Sequence, residues 1–213
     1  MNFQELYESK KVSLDEALGY IRSNDNVCFA GDCNEPKIFA QNLHKIAPRV
    51  ENVSVIKART GNFEFVKGDN MNGHINTGGF FYGPGWGEGH RKKNVSFVPA
   101  DLCDYGSFVS QAKPVTVFAA AVSPMDEFGN YCVGLIKMWE REFFSTADRV
   151  ILEVNPRLPR VAGGLRINIS KVTCLYERDA PVLEFPSKEP TADERTVAQY
   201  CRSLLRDGDC IQL

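Results

Sequence analysis

Three stretches carry residue types that could do chemistry. The first is Gly83-Pro-Gly-Trp-Gly-Glu-Gly89, behind Phe80-Phe-Tyr82. Glycine-rich turns after a strand can cradle phosphate with backbone N–H groups. A dinucleotide loop starting at Gly83 needs glycine where Glu88 stands, and one starting at Gly85 needs it where His90 stands. No Gly-Lys-Ser/Thr follows either, so the expectation is a flexible surface loop. The second stretch is Ser123-Pro-Met-Asp126, directly behind the apolar run Val115 to Val122 and ahead of the turn Phe128-Gly-Asn130. Ligands of open α/β sheets bind beyond the carboxyl ends of the strands, so a polar cluster in this place is a site candidate. Ser123 lacks the flanking glycines of a nucleophile elbow, and a tight turn built by Ser-Pro and Asp is the competing reading. The third is Glu153, near the end of the run Val150 to Val154. Such a carboxylate is either a tuned acid or base or a satisfied structural group, and the second is the commoner case.

Around these stretches lies an alternation of strands and helices. Ser13-Leu-Asp-Glu16 is a capping box opening a helix with Leu14, Ala17, Leu18 and Ile21 on one face. A strand follows at Val27 to Ala30, a turn at Asn34-Glu-Pro36 with Pro36 suited to the first helical position, a helix carrying Ile38, Leu43 and Ile46, and a strand at Val53 to Ala58. Further strands are expected at Val115 to Val122, Val150 to Val154, Ile167 to Val172 and Val182 to Phe185, with a helix over Met138 to Thr146. Thr191-Ala-Asp-Glu194 is a second capping box, for a helix through Leu205, and a short strand begins at Cys210-Ile211. The stretch Gly61 to Gly89 reads as a long, partly structured excursion, and no internal repeat is evident. The rhythm predicts an α/β fold with a mostly parallel open sheet flanked by helices.

Composition narrows the partners. The 213 residues suit one large domain, and a chain of this size buries roughly 70% of its unfolded surface. A net charge of −2 gives no reason to expect nucleic acid or an anionic membrane as partner. The longest apolar run is far short of the ~20 residues of a bilayer span, and the charged N-terminus lacks a signal-peptide core, so a cytoplasmic location is expected. Seven cysteines without a Cys-x-x-Cys pair read as reduced, mostly buried thiols. The histidines His44, His74 and His90 are dispersed, and no metal is expected.

The strand-end motifs fall into a pattern. Val122-Ser-Pro-Met-Asp-Glu-Phe-Gly129, Gly134, Val150-Ile-Leu-Glu-Val-Asn155 and Leu158-Pro-Arg160 resemble the acetyl-CoA hydrolase/transferase family, which includes 4-hydroxybutyrate and butyryl-CoA:acetate CoA-transferases. The resemblance extends through Asn34-Glu-Pro36, Arg91…Phe97-Val-Pro99, Ile167-Asn-Ile-Ser170, Glu177-Arg-Asp179 and Asp207-Gly208…Ile211-Gln212. Asn130, Cys132 and Leu158 stand where the family often has Tyr, Ser and Met. The resemblance implies half of a two-part enzyme of the CoA-transferase type, like the sugar-phosphate isomerase folds in plan, with the active site between two similar α/β halves. Residues 1–206 would be the N-terminal domain, and 207–213 the start of the first strand of an absent C-terminal catalytic domain. The family exchanges coenzyme A between an acyl-CoA and a small carboxylate through a glutamyl-CoA thioester; hydrolysis, with water as acceptor, is the alternative. The glutamate and its oxyanion turn belong to the second half, so no catalytic residue is expected in this chain and the chain alone is expected to be inactive. Ser123, Pro124 and Asp126 are the candidates for an acyl-pocket wall, with Gly61 and Gln212 as weaker ones. A homodimer is implied for the complete enzyme. A non-catalytic split subunit or acyl-CoA-binding module is the reading from another class.

Overall fold

The computed structural model describes residues 2–57, 61–83, 85–184 and 186–212. They fall into two compact units, residues 1–182 and 183–213. In the first, seven strands form one fully parallel sheet: β1 (Asn26–Phe29), β2 (Val53–Ile56), β3 (Ile75–Gly79), β4 (Val95–Phe97), β5 (Val117–Val122), β7 (Arg149–Val154) and β9 (Cys174–Glu177). Their spatial order is β4-β3-β2-β1-β5-β7-β9. Between β5 and β7 the chain makes β6 (Asn130–Val133), which pairs antiparallel with β8 (Leu165–Asn168) as a separate ribbon.

Central parallel strands are covered on both faces, which is why β5 (VFAAAV) is apolar throughout rather than alternating. The two faces are nevertheless distinct. Val27, Phe29, Val117, Ala119 and Ile151 point to one cluster, and their neighbours Cys28, Ala30, Phe118, Ala120, Val150 and Leu152 to the other. The first face is covered by α2 (Leu14–Gly19), α3 (Lys37–Asn42), α4 (Glu64–Lys67) and α5 (Trp86–Arg91). The second is covered by α1 (Phe3–Lys10), α6 (Tyr105–Ala112), α7 (Glu140–Thr146) and the β6–β8 ribbon.

The expected parallel architecture is present, with local corrections. Pro36 is the N-cap residue of α3, not its first helical residue. The strand expected over 167–172 runs at 165–168, and Ile169–Lys171 turn as a 3-10 helix because Asn168 caps the turn through the Ser170 N–H. Val182 to Glu184 form no strand; Phe185, like Ala58 of the expected second strand, lies outside the described residues. The seventh place in the sheet is taken by β9 instead. The glycine-rich stretch is also no loose loop: Gly85, at φ 84°, caps α5, and a Cβ on Gly89 would stand 2.4 Å from the Val66 carbonyl oxygen. Close helix packing explains that glycine; Pro84 lies outside the described residues. All seven cysteines are free, with Cys28, Cys132 and Cys174 buried and Cys103, Cys201 and Cys210 exposed.

The second unit contains α8 (Ala192–Leu204), capped by the Thr191/Glu194 box as its sequence predicts. Cys210 to Gln212 carry no strand assignment, and Leu213 lies outside the described residues. Among the described residues, no helix is long and apolar enough to cross a membrane.

Candidate functional site

Strand order reverses between β1 and β5, so the crevice at their carboxyl ends is the place where an open α/β sheet receives a ligand. Two buried polar side chains organise it. The Asn34 amide donates to the Ala121 carbonyl at 2.8 Å, and its oxygen accepts from the Leu135 and Ile136 N–H groups at 3.0 and 3.3 Å. Glu140 accepts from the Gly31 N–H at 3.1 Å and from the Met138 N–H at 2.7 Å. An internal carboxylate thus occupies the amide that a dinucleotide phosphate would use. Beyond this carboxylate lies the outer edge of the crevice.

That edge is largely apolar. Crossover helices run against the strands, so the starts of α6 and α7 lie at the strands' carboxyl ends. Between them opens a cavity of about 610 Å³ lined by Leu102, Cys103, Gly106, Lys137, Met138 and Trp139, with Asp101, Ser107 and Glu142 around it. The Trp139 ring stacks edge-on against Tyr105 at 4.9 Å and against Phe80 at 5.4 Å. Phe81, Tyr82 and Phe97, following β3 and ending β4, are exposed on the same edge.

Beside the crevice, Lys57 follows β2 and is only 2% exposed. Its ammonium pairs with Glu35 and sits 3.8 Å from the Phe63 ring centroid. Burial pushes the Lys57 ammonium below its usual range and the Glu35 carboxyl above its own. Each remains held by the other, which ties the turn before α3 to the end of β2.

The polar cluster after β5 has a defined geometry. Ser123 is fully buried; its hydroxyl accepts from the Cys132 N–H and donates to the Pro124 carbonyl, both at 3.2 Å. Asp126 accepts from the Asn130 and Phe128 N–H groups at 2.7 and 3.1 Å and pairs with Arg160 at 2.7 Å. Burial at this turn opposes ionisation of Asp126, but the Asn130 amide, the Arg160 guanidinium and the Phe128 amide outweigh it and hold the carboxyl below its ordinary range. Arg160 also donates to the Pro124 and Asn130 carbonyls. A shallow depression beside Asp126 is shared with Phe3, Met125 and Glu127. Gly61 follows β2, on the other side of β1 from this cluster, and Gln212 is exposed in the second unit.

Glu153 is the structural member of the set. It accepts from the Tyr176 hydroxyl at 2.8 Å, Arg178 at 3.2 Å and the Ile38 N–H at 3.3 Å. Burial raises its carboxyl above the usual range despite these partners. Glu140, Lys137 and Trp139 were not singled out by the sequence; the one signal was their place where a strand run gives way to a helix.

A parallel sheet covered on both faces defines an α/β domain. Residues 1–185 match the model of the acetyl-CoA hydrolase/transferase N-terminal domain, and the chain belongs to that family. It is 28% identical over 212 residues to the succinyl-CoA:cyclohexane-1-carboxylate CoA transferase of Geobacter metallireducens, covering 100% of this chain and 48% of that protein. It is 25% identical to the 4-hydroxybutyrate coenzyme A transferase of Clostridium kluyveri, covering all of this chain and 50% of that one. The crystal structure of RipA from Yersinia pestis superposes with a TM-score of 0.88 at 24% identity, over 99% of this chain and 52% of that one. The chain therefore spans about half the length of the curated relatives it matches.

Proposed function

We propose that this chain is the N-terminal half of an acyl-CoA:carboxylate CoA-transferase of the 4-hydroxybutyrate, butyrate and acetate type. The observation that carries the reading is the end-to-end match to CoA-transferases of twice its length. The catalytic glutamate, which attacks the thioester and later carries CoA itself, is assigned to the second half. That step needs a carboxylate nucleophile beside amide donors for the oxyanion. The first half supplies a wall of the acyl pocket. Pro124 and Asp126, braced from behind by Ser123, form that wall after β5, with Gly61 and Gln212 as weaker contributors.

The apolar cavity between α6 and α7 suits an acyl or pantetheine segment, and its mixed charges give no preference for a free phosphate. The bound coenzyme is CoA as a thioester, with no metal assigned. Residues 1–206 are assigned to the N-terminal domain and 207–213 to the first strand of the catalytic one. The complete enzyme is proposed to be a cytoplasmic homodimer.

The test is exchange of labelled acetate into acyl-CoA. The chain alone should give neither exchange nor thioester loss, and turnover by residues 1–213 in isolation would overturn the assignment. In the complete protein, acetate-dependent exchange marks a transferase, whereas CoA release independent of acetate marks the hydrolase alternative. A natural half-protein working with a separate partner would show exchange only on mixing the two.

A further inference from the structure

The carboxyl ends of β1 and β2 carry a buried ion pair that stability alone does not explain. The two strands are parallel neighbours, with Cys28 opposite Ile56, so Lys57 emerges beside Phe29. Its ammonium pairs with Glu35 and lies 3.8 Å from the Phe63 ring centroid, 5.6 Å from that of Phe29 and 5.9 Å from that of Phe65. A buried ion pair is often no more stabilising than apolar side chains of the same volume. What it adds is direction: the ammonium is satisfied when one carboxylate and the aromatic faces stand in place together.

The contacts belong to different turns at the crevice. Glu35 follows Asn34, whose side chain is fixed by the Ala121 carbonyl and by the Leu135 and Ile136 N–H groups, so its position follows that of β5. Phe63 belongs to the turn after β2. Its N–H donates to the Gly61 carbonyl at 2.9 Å, and its carbonyl accepts from the Val66 and Lys67 N–H groups at 3.1 and 3.2 Å. Its ring stacks on Phe65 at 5.5 Å. Gly61 is seated against that ring, because a Cβ there would stand 2.6 Å from Phe63 Cε2. Moving Phe63 therefore moves Gly61. On the other flank, a Cβ on Gly85 would stand 3.4 Å from Asn62 Oδ1, so the start of α5 backs the same turn.

Lys57 is 2% exposed, and Glu35 is mostly buried beside it. An ammonium so enclosed cannot reach a substrate, which leaves it a role through its neighbours.

We propose that Lys57 is a positioning residue for the choice of acyl group. Through Glu35 and Phe63 it couples the turn after β1 to the Gly61–Phe63 turn after β2, and so sets how far Gly61 stands into the crevice. The acyl length admitted is then governed by a pair that does not touch the acyl group. This rests on the reading of Gly61 as part of the acyl-pocket wall of a CoA-transferase.

Lys57→Met alone leaves a buried carboxylate without its partner, so the test combines it with Glu35→Gln, which removes both charges. In the native-length protein, kcat/KM is measured for acetyl-CoA and butyryl-CoA with propionate as the common acceptor. One methylene in an apolar pocket discriminates by about 10–200-fold, and the preference between the two donors should fall at least about tenfold in the double variant. A merely structural pair would lower both values together. An unchanged preference in the folded double variant would overturn the proposal, and so would a wild-type protein with no preference.

The coupling is read without turnover by hydrogen exchange in Glu35→Gln. Protection of the Phe63 N–H should fall about tenfold, the loss expected for one charged contact. Protection of the Asn52 N–H, which donates to the Gly73 carbonyl just before β2, should hold. Equal losses at both amides, or none at Phe63, would overturn the coupling. A responsive Phe63 without any acyl exchange would sink the transferase reading alone, and exchange with an unchanged preference would sink this one alone.

Discussion

The ammonium of Lys57 has no water to fall back on, so its worth depends on Glu35. Removing one member of a buried pair leaves an uncompensated charge. Lys57→Met is expected to cost about 3–5 kcal/mol, read by urea denaturation. Lys57→Met with Glu35→Gln should recover more than half of that loss, and additive losses would contradict the pairing. Asp126 makes the opposite kind of statement about pH. Its folded value lies below the ordinary 3.8, so the stability it lends is complete above that value and fades as pH falls through the lowered one. The protection of the Asn130 amide, its exchange relative to the unfolded rate at the same pH, should therefore hold at neutral pH and fall only in strong acid. Asp126→Asn should remove that acid dependence.

Packing between elements at the carboxyl edge has little slack. A Cβ on Gly106 would stand 2.4 Å from the Trp139 Cβ, so Gly106→Ala must push α6 away from the start of α7. A loss of about 1–3 kcal/mol is expected. Gly19 ends α2 with nothing within 4 Å of its added Cβ. Gly19→Ala should instead stabilise by about 0.4–1 kcal/mol through the unfolded chain. Thermal melts of the two variants should move in opposite directions.

These elements also mark how far the sequence could be read. Apolar runs such as Val117 to Val122 announce buried parallel strands, and both capping boxes announce helix starts. The turn at Ser123 to Asp126 was legible as well, because Pro and Asp make it locally. By contrast, β9 is four residues of mixed type whose strand character comes from pairing with β7. Asn34 and Glu140 gain their roles only when β1, β5 and the segment before α7 meet, which no local pattern encodes.

At the scale of the whole molecule, the half-length match is the observation behind the proposed division of labour. In that proposal this chain shapes a wall of the acyl pocket, and a second half brings the nucleophile. The central claim is tested by locating the CoA-bearing residue. The native protein is incubated with acyl-CoA, its thioester is reduced with borohydride, and the modified peptide is sequenced by mass spectrometry. A reduced glutamate outside residues 1–213 is the predicted result. A reduced glutamate inside them would contradict the account, as would no covalent adduct in a preparation that exchanges acetate.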